Sequence, residues 1–210
     1  MEIKTFNKYQ TRGAYHWNWY AENTFDYRDL VQKTLAYFPD NGSILDVGCG
    51  DALVAYHMFQ QGLDVTGIDP EQVGIELGYQ TIWQEYSKAH PLKIIWRRIR
   101  YRNPRAYLNA IGLRLIVASI YDFQPPLPFD YALCHEVIEH VPDPEKLIEI
   151  TYRSIRNYAI FTTPNGDFNK PHEHDYQFWN ADQFIKLFGQ KRAVMIEHNT
   201  TRLVVRLEKQ

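Results

Sequence analysis

Two groups of residues in this sequence have the types and spacing that bind a ligand and accept a proton. The first begins with the turn DVGCGDA at 46–52, where glycines let a ligand approach the backbone closely. Asp69 ends the next apolar run, where a carboxylate can accept both hydroxyls of a ribose. Leu53 stands where a dinucleotide fingerprint has its third glycine, which counts against a pyrophosphate ligand. These residues predict a site for a ribose-bearing ligand that lacks a pyrophosphate.

The second group lies in two later segments, HEVIEH at 135–140 and TPNGDFNKPHEH at 163–174. Their carboxylates and imidazoles can orient a hydroxyl or remove its proton, and we assign this role to Glu136, His140 and His174. The same side chains, with a further carboxylate between them, form an oxygen and nitrogen set of the kind that binds a divalent cation. In the plainer alternative they only contact a ligand or begin a helix. The residues by themselves leave both interpretations open.

Alternating strand and helix patterns place both groups at strand ends. Short apolar runs predict strands at 44–47, 64–69, 114–118, 131–135, 158–163, 193–198 and 203–207. Helical spacing of apolar residues predicts helices at 53–61, 71–86, 144–155 and 181–188. Asp143 is expected to cap the third of these helices. Strands separated by helices imply an α/β fold with a doubly wound, mostly parallel sheet, which binds ligands at the carboxyl ends of its strands.

Length and composition favour one domain with its own core. The chain has 210 residues, of which 45% are hydrophobic, and we expect a single domain over 1–210. No stretch reaches the roughly 18 consecutive apolar residues of a membrane span, and the first ten residues lack the apolar core of a signal peptide. Cys49 and Cys134 are far apart, so we predict neither a disulfide framework nor a zinc cage. We therefore expect a soluble, cytoplasmic protein.

Positive charge is concentrated in one part of the chain, which we interpret as an insertion over 87–112. Between Tyr86 and Tyr121 there are eight Lys or Arg residues and no Asp or Glu. The segment 88–105 interleaves cationic with aromatic side chains, as surfaces that bind RNA or anionic lipid do. Alternatively, it forms an amphipathic helix whose apolar residues pack on the core or on a partner chain, such as a second copy. We favour the helix, because the sequence contains no RNA-binding motif.

The first two predicted strands and the turns after them resemble those of the class I S-adenosylmethionine (SAM)-dependent methyltransferases. ILDVGCGDA at 44–52 is similar to the first motif of that family, and GLDVTGIDP at 62–70 to the second. The resemblance implies a Rossmann-like, seven-stranded sheet with SAM as cofactor. It assigns the methionine part of SAM to the glycine turn, the ribose to the end of the second strand and the adenine to the end of the third. The residues assigned to the cofactor are Asp46, Gly48, Cys49, Gly50, Asp69, Pro70, Ser119, Ile120 and His135.

The segments around the predicted acceptor residues resemble two subfamilies. HEVIEHVPDPEKL at 135–147 is similar to the ubiquinone-biosynthesis O-methyltransferases and their small-molecule relatives. SIYDF at 119–123, EVIEH at 136–140 and TPNGDFN at 163–169 are similar to the small-RNA 3′-terminal 2′-O-methyltransferases. The second resemblance implies a catalytic Mg²⁺ or Mn²⁺ ion. Its ligands would be Glu136, Glu139, His140 and either His172 or His174, of which we favour His174.

The N-terminal residues 1–42 contain an aromatic cluster, YHWNWY at 15–20. In enzymes of the resembled family such a leader forms a cap over cofactor and acceptor. Alternatively, the aromatic side chains cover one face of the sheet.

From these observations we predict SAM-dependent methyl transfer to an oxygen of a small or medium-sized metabolite. One alternative is metal-dependent 2′-O-methylation of RNA 3′ ends, with RNA bound by the basic segment. Another is a SAM-binding regulatory protein without catalysis. Such a regulator would lack polar residues at the edge of the sheet where an enzyme binds its acceptor, and this sequence has polar residues there.

Overall fold

Strands and helices alternate in the computed structural model, which describes residues 8–91, 103–170 and 176–210. The strands are β1 (Ser43–Val47), β2 (Asp64–Asp69), β3 (Leu113–Val117), β4 (Phe129–His135), β5 (Ile155–Pro164), β6 (Ala193–His198) and β7 (Arg202–Glu208). The helices are α1 (Lys8–Arg12), α2 (Tyr15–Glu22), α3 (Tyr27–Leu35), α4 (Leu53–Gln61), α5 (Gln72–Ala89), α6 (Pro104–Ala110), α7 (Pro144–Arg153) and α8 (Ala181–Lys186). The seven strands and four helices predicted from the apolar patterns are all present, with bounds shifted by a few residues at most. The amphipathic helix expected in the basic segment falls largely on residues 92–102, outside the described ranges.

The strands form one seven-stranded sheet of order β3-β2-β1-β4-β5-β7-β6. β2 and β3 are parallel, and β4 is parallel to both β1 and β5. β7 is antiparallel to both β5 and β6. The predicted α/β fold with a mostly parallel, seven-stranded sheet is therefore confirmed. The chain divides into two compact units, which we call the β2 unit (7–43 and 49–118) and the β4 unit (44–48 and 119–210).

In the β2 unit, α4 packs against β2, and α5 follows β2 directly. Met58 of α4 and Ile75 and Ile82 of α5 are buried almost completely. Gly62 ends α4 with a φ of +117°, the left-handed cap that its place in the sequence predicts. β2 has the predicted bounds, because the apolar run ends at the Asp69-Pro70 pair.

The N-terminal helices belong to the same unit. Tyr27 and Val31 of α3 pack in one cluster with Leu53 of α4. Within the described ranges, no helix combines the length and the hydropathy that crossing a membrane requires.

The described part of the basic segment consists of the end of α5 and helix α6. Asn103 caps α6 by accepting from Ala106 N–H at 2.7 Å. The described cations all have partners within the unit. Lys88 pairs with Glu85 and Arg114 with Asp64, and Arg105 stacks 4.3 Å above the Tyr79 ring. Residues 92–102, which are 11 of the 26 residues of the predicted insertion over 87–112, lie outside the described ranges.

In the β4 unit, α7 begins as predicted and ends earlier. Asp143 Oδ1 accepts from Lys146 N–H at 3.0 Å, which is the expected N-terminal cap. The predicted helix over 144–155 includes Ile155, and that assignment is wrong. The helix ends at Arg153, and Ile155 begins β5 beside Phe129.

Candidate active site

The turn after β1 adopts backbone conformations that favour glycine. Gly48 has a φ of +72° and Gly50 a φ of +55°, in the left-handed region where a Cβ is disfavoured. Cys49 N–H donates to the Ile68 carbonyl at 3.0 Å. This bond fixes the second half of the turn to β2, the strand that carries Asp69.

The Asp69 carboxylate lies against the backbone of the turn. Oδ2 accepts from Gly50 N–H at 3.0 Å, and Oδ1 accepts from Glu71 N–H at 2.7 Å. Burial raises the pKa of Asp69, while these two N–H donors oppose the shift. A carboxylate has about four acceptor positions, so each oxygen keeps capacity for one further hydrogen bond. Asp69 thus retains the capacity that binding two neighbouring hydroxyls requires.

Glu71 provides a second carboxylate two residues later, after Pro70. Its Oε2 is buried and has no hydrogen-bond partner among the described residues. Burial, followed by the charge of Asp69, raises the pKa of Glu71 to about 7. Near neutral pH a large fraction of Glu71 is therefore protonated, and the protonated form can donate a hydrogen bond.

The Tyr9 side chain fills a slot formed by two glycines. A Cβ on Gly50 would overlap the Tyr9 hydroxyl, and a Cβ on Gly74 would lie 3.0 Å from Tyr9 Cε2. The ring also stacks on Tyr15, with centroids 5.3 Å apart. Burial, followed by the charge of Asp51, raises the pKa of Tyr9 well above its usual value. The hydroxyl therefore stays protonated. Tyr9 was not among the predicted site residues.

Asp51 is fully buried and binds the aromatic cluster near the N-terminus. Its Oδ2 accepts from His16 backbone N–H at 3.1 Å, and its Oδ1 lies 3.0 Å from His16 Nδ1. A carboxylate accepts only, so the imidazole donates through Nδ1. Trp17 Nε1–H donates to the Asp51 carbonyl at 2.9 Å. The cluster at 15–20 is thus bonded to the glycine turn.

The other predicted cofactor residues belong to the β4 unit. Asp46 lies in β1 and is 2% exposed. Gly48 packs closely on Val137, because a Cβ there would lie 2.5 Å from Val137 Cγ2. Ser119 begins the turn after β3, and Ile120 is buried.

The chain bends at Glu136, immediately after β4. Glu136 has a φ of +53°, which residues with a side chain rarely adopt. Its N–H donates to Thr162 Oγ1 at 3.0 Å, and the Thr162 hydroxyl donates to Glu136 Oε1 at 2.7 Å. His135 Nδ1 lies 3.1 Å from the same hydroxyl oxygen. Since the Thr162 proton goes to the carboxylate, His135 donates through Nδ1. β5 therefore orients two adjacent predicted site residues.

Arg202, the first residue of β7, faces Glu136 and was not predicted. Its Nε lies 4.0 Å from Glu136 Oε1, with side-chain exposures of 15% and 28%. This Nε is buried and has no hydrogen-bond partner among the described residues. Arg206, four residues later on the same strand, stacks instead 3.8 Å above the Tyr158 ring.

Glu139 and His140 lie next to each other, but they do not form the predicted metal site by themselves. Glu139 Oε2 accepts from Thr163 Oγ1 at 3.3 Å, and Glu139 Oε1 lies 3.9 Å from His140 Nε2. Across residues 8–91, 103–170 and 176–210, no three His, Cys, Asp or Glu side chains are grouped to hold a metal ion. His172 and His174 lie outside those ranges. The described side chains therefore do not support a Mg²⁺ or Mn²⁺ site.

The turn after β5 is organised around Asn165, which is completely buried. Asn165 Nδ2 donates to the Asn199 carbonyl at 2.7 Å, and Oδ1 accepts from Asp167 N–H at 3.1 Å. Gly166 N–H donates to the Trp179 carbonyl at 2.8 Å. A Cβ on Gly166 would lie 2.6 Å from that carbonyl oxygen, so only glycine fits there.

Comparison with known proteins identifies the family. A family model described as a methyltransferase domain matches residues 20–199. The chain therefore belongs to the methyltransferase domain family, and the resemblance to class I SAM-dependent methyltransferases is confirmed.

Two curated relatives are both described as ubiquinone biosynthesis O-methyltransferase. The protein from Nitrosomonas europaea is 24% identical over 196 residues, which cover 89% of this chain and 71% of that protein. The protein from Alkalilimnicola ehrlichii is 28% identical over 146 residues, which cover 69% of this chain and 49% of that protein. Several curated relatives carry this description, and in four of them the match spans only about half of the relative's length.

A similar fold occurs in the magnesium protoporphyrin IX methyltransferase from Synechocystis PCC 6803. Its structures with bound SAM and with bound S-adenosylhomocysteine (SAH) give TM-scores of 0.62 and 0.63 at 15% identity. The likeness covers 97% of this chain and 94% and 97% of the two solved chains. At this identity it shows the fold, which is that of the SAM-dependent methyltransferases.

Proposed function

We propose that this chain transfers the methyl group of SAM to an oxygen atom of a small or medium-sized metabolite. The arrangement of Asp69 with Gly50 carries the cofactor part of this proposal. A ribose offers two adjacent hydroxyls, and each Asp69 oxygen keeps one acceptor position for them. Gly50 has no side chain there, and the Tyr9 hydroxyl occupies the space that a Cβ would take, so a ligand bound to Asp69 would lie near that hydroxyl.

Oxygen as the acceptor atom is supported by the relatives, which are described as O-methyltransferases. In such a reaction the bond between sulfur and the methyl carbon breaks as the bond from oxygen to that carbon forms. SAH is released, and the hydroxyl proton passes to a base. The sulfonium is already activated, so the protein contributes mainly alignment and proton removal.

We assign orientation or deprotonation of the acceptor to Glu136 and His140. His174 is the third predicted residue for this role and lies outside the described ranges. Glu136 is the better-defined candidate, since Thr162 orients one of its oxygens and Arg202 faces that same oxygen. This fixed orientation supports Glu136 as the general base.

Calorimetry with SAH tests the cofactor assignment. We expect micromolar-class binding of SAH and no binding of NAD. Asp69→Ala should weaken SAH binding at least about thirtyfold, because hydrogen bonds from two hydroxyls to a charged acceptor are lost. The matched control is Asp64→Ala at the other end of β2, where the side chain pairs with Arg114 at the surface. Its SAH affinity should stay within about twofold of wild type. A protein that binds NAD and does not respond to SAH would refute the proposal.

A methyl-transfer assay tests the acceptor. The protein is incubated with SAM and a panel of phenols, catechols, aliphatic alcohols and amines, and the products are identified by mass spectrometry. We expect a methyl ether and an equal amount of SAH. Methylation of amines alone would contradict oxygen as the acceptor atom. Tight SAH binding without turnover of any acceptor would favour the regulatory alternative.

Metal-dependent methylation of RNA 3′ ends stays a prediction. It depends on residues 92–102 and 171–175, which lie outside the described ranges. If methyl transfer continues unchanged in EDTA, the reaction does not need a divalent metal ion.

Filter binding with short single-stranded RNA at two salt concentrations tests whether the basic segment binds RNA. We expect weak binding. A tight complex that loses affinity steeply with salt and is methylated at its 3′ end would replace the metabolite proposal.

A further inference from the structure

His16 and Asp51 form a hydrogen-bonded pair that joins α2 to the glycine turn and has no role in the proposed reaction. Asp51 follows Gly50 in the glycine turn and is 0% exposed. Burial of a carboxylate is costly unless hydrogen-bond donors surround it. Its donors come from the start of α2, as the backbone N–H and the imidazole of His16. Trp17 adds a third bond, to the Asp51 carbonyl.

These bonds fix the start of α2 against the turn, and α2 in turn holds the Tyr9 ring. The Tyr15 ring lies 4.0 Å from the His16 ring and 5.3 Å from the Tyr9 ring, measured between centroids. Tyr9 then enters the slot between Gly50 and Gly74. A continuous series of contacts therefore runs from Asp51 through His16 and Tyr15 to the Tyr9 hydroxyl beside Gly50.

We propose that His16 is a positioning residue for the cofactor: bound to Asp51, it holds Tyr9 where the Tyr9 hydroxyl forms part of the SAM site. The inference rests on the proposed function and extends it, because Gly50 and Asp69 are the residues proposed to bind SAM. The Tyr9 hydroxyl lies against Gly50, whose N–H binds the Asp69 carboxylate. The Tyr9 hydroxyl donates its proton to the Tyr15 side chain, and its oxygen can accept a hydrogen bond from a polar group of the ligand.

The test is calorimetric titration of SAH into wild type and three variants. His16→Ala removes the bond to Asp51 and should weaken SAH binding by up to about tenfold, the upper end of the loss expected for Tyr9→Phe, because His16 acts on the ligand through Tyr9. His16→Asn keeps a side-chain N–H near the position of Nδ1 and should stay within about threefold of wild type. Tyr9→Phe removes only the hydroxyl and should weaken SAH binding about three- to tenfold.

His57→Ala is the matched control for general loosening of the N-terminal helices. The His57 ring lies 4.4 Å from the Tyr20 ring of α2, so this variant also removes packing against that helix. Asp51 is bonded to His16 and Trp17 instead. We expect His57→Ala to lower the Tm while SAH affinity stays within about twofold of wild type.

Each other result has a definite meaning. Equal losses in His16→Ala and His16→Asn would show that ring packing matters and the bond to Asp51 does not, which overturns the proposal. A comparable loss in His57→Ala would also overturn it. If Tyr9→Phe binds SAH as tightly as wild type, the hydroxyl has no role. If His16→Ala does not fold, the SAH affinities of His16→Asn and Tyr9→Phe still test the proposal. Failure of wild type to bind SAH would instead refute the proposed function.

Discussion

Tyr9 and Gly50 lie so close together that one added methyl group should separate them. Gly50→Ala places a Cβ in the space of the Tyr9 hydroxyl, at a residue whose φ of +55° already disfavours a side chain. We expect the Tyr9 ring to leave its slot. Tyr9→Phe removes the overlapping oxygen and leaves ring atom Cζ 3.1 Å from the new Cβ. The Tyr9→Phe variant should therefore tolerate Gly50→Ala better than wild type does.

The backbone cost and the steric cost can be measured separately. Gly13 has a φ of +63° with open space around its Cβ position, so Gly13→Ala reports the backbone cost alone. That cost should be about 1–2 kcal/mol. Displacement of the buried Tyr9 ring adds about 2 kcal/mol of lost burial. We expect Gly50→Ala to cost about 3–4 kcal/mol in wild type and about 1–2 kcal/mol in the Tyr9→Phe background, a coupling of about 2 kcal/mol.

Thermal unfolding of the four proteins in this cycle measures the coupling, with Gly13→Ala alongside. In a chain of this length, 1 kcal/mol shifts the Tm by about 2–4 °C. Gly50→Ala should lower the Tm by about 10 °C in wild type and by about 4 °C in Tyr9→Phe. Equal losses in both backgrounds would show that Tyr9 does not lie against Gly50. The role assigned to the Tyr9 hydroxyl would then also be wrong.

Three further predictions concern a carboxylate, a cation and a turn. Glu71→Gln should raise the free energy of unfolding at pH 8 by about 1 kcal/mol after allowance for solvent screening. The pKa of Glu71 is raised from 4.5 to about 7, so the wild-type protein loses stability as the pH rises through this range. Near pH 4 Glu71 is protonated in both the folded and the unfolded state, so the gain measured in urea melts should vanish there. Arg202→Gln should lower kcat for methyl transfer about tenfold at unchanged KM for SAM. The control Arg206→Gln, on the same strand, should lower only the Tm. Equal effects of the two variants on kcat would show that Arg202 has no specific role in the reaction. Gly166→Ala should lower the free energy of unfolding by about 2 kcal/mol, because its Cβ would overlap the Trp179 carbonyl oxygen; an unchanged melting curve would contradict that packing.

Sequence signals predicted the fold where they were local. β2 ends at Asp69 because an apolar run meets Pro70, and α7 begins where Asp143 can cap it. Ile155 shows the limit of periodicity. It continues the apolar spacing of α7, but Ser154 ends the helix and turns its hydroxyl back to the Ile150 carbonyl at 2.9 Å. Pairing with β4 then decides the conformation of Ile155, and such non-local pairing leaves no mark in the helical pattern.

The candidate site was predictable only in part, for the same reason. Gly50 and Asp69 each end or follow a strand, so topology brings them together. The partner of Asp51 lies 35 residues earlier in the chain, and no spacing rule connects an aspartate to a histidine at that distance. The aromatic cluster at 15–20 gave a signal for the region, but not for its contact with the glycine turn. Arg202 gave none, because it faces Glu136 only after β7 has paired with β5.

The buried turn at Asn165 also affects how the protein ages. An asparagine followed by glycine is prone to deamidation, because the backbone nitrogen of the glycine attacks the side-chain amide carbon, ammonia leaves, and a cyclic imide forms that water then opens. Here that nitrogen, in Gly166, donates its hydrogen to the Trp179 carbonyl, and the Asn165 amide is bonded to the Asn199 carbonyl. Both bonds must open before the imide can form, so deamidation should proceed only through local unfolding. Isoaspartate that accumulates at this position during storage would therefore record how often the turn after β5 opens.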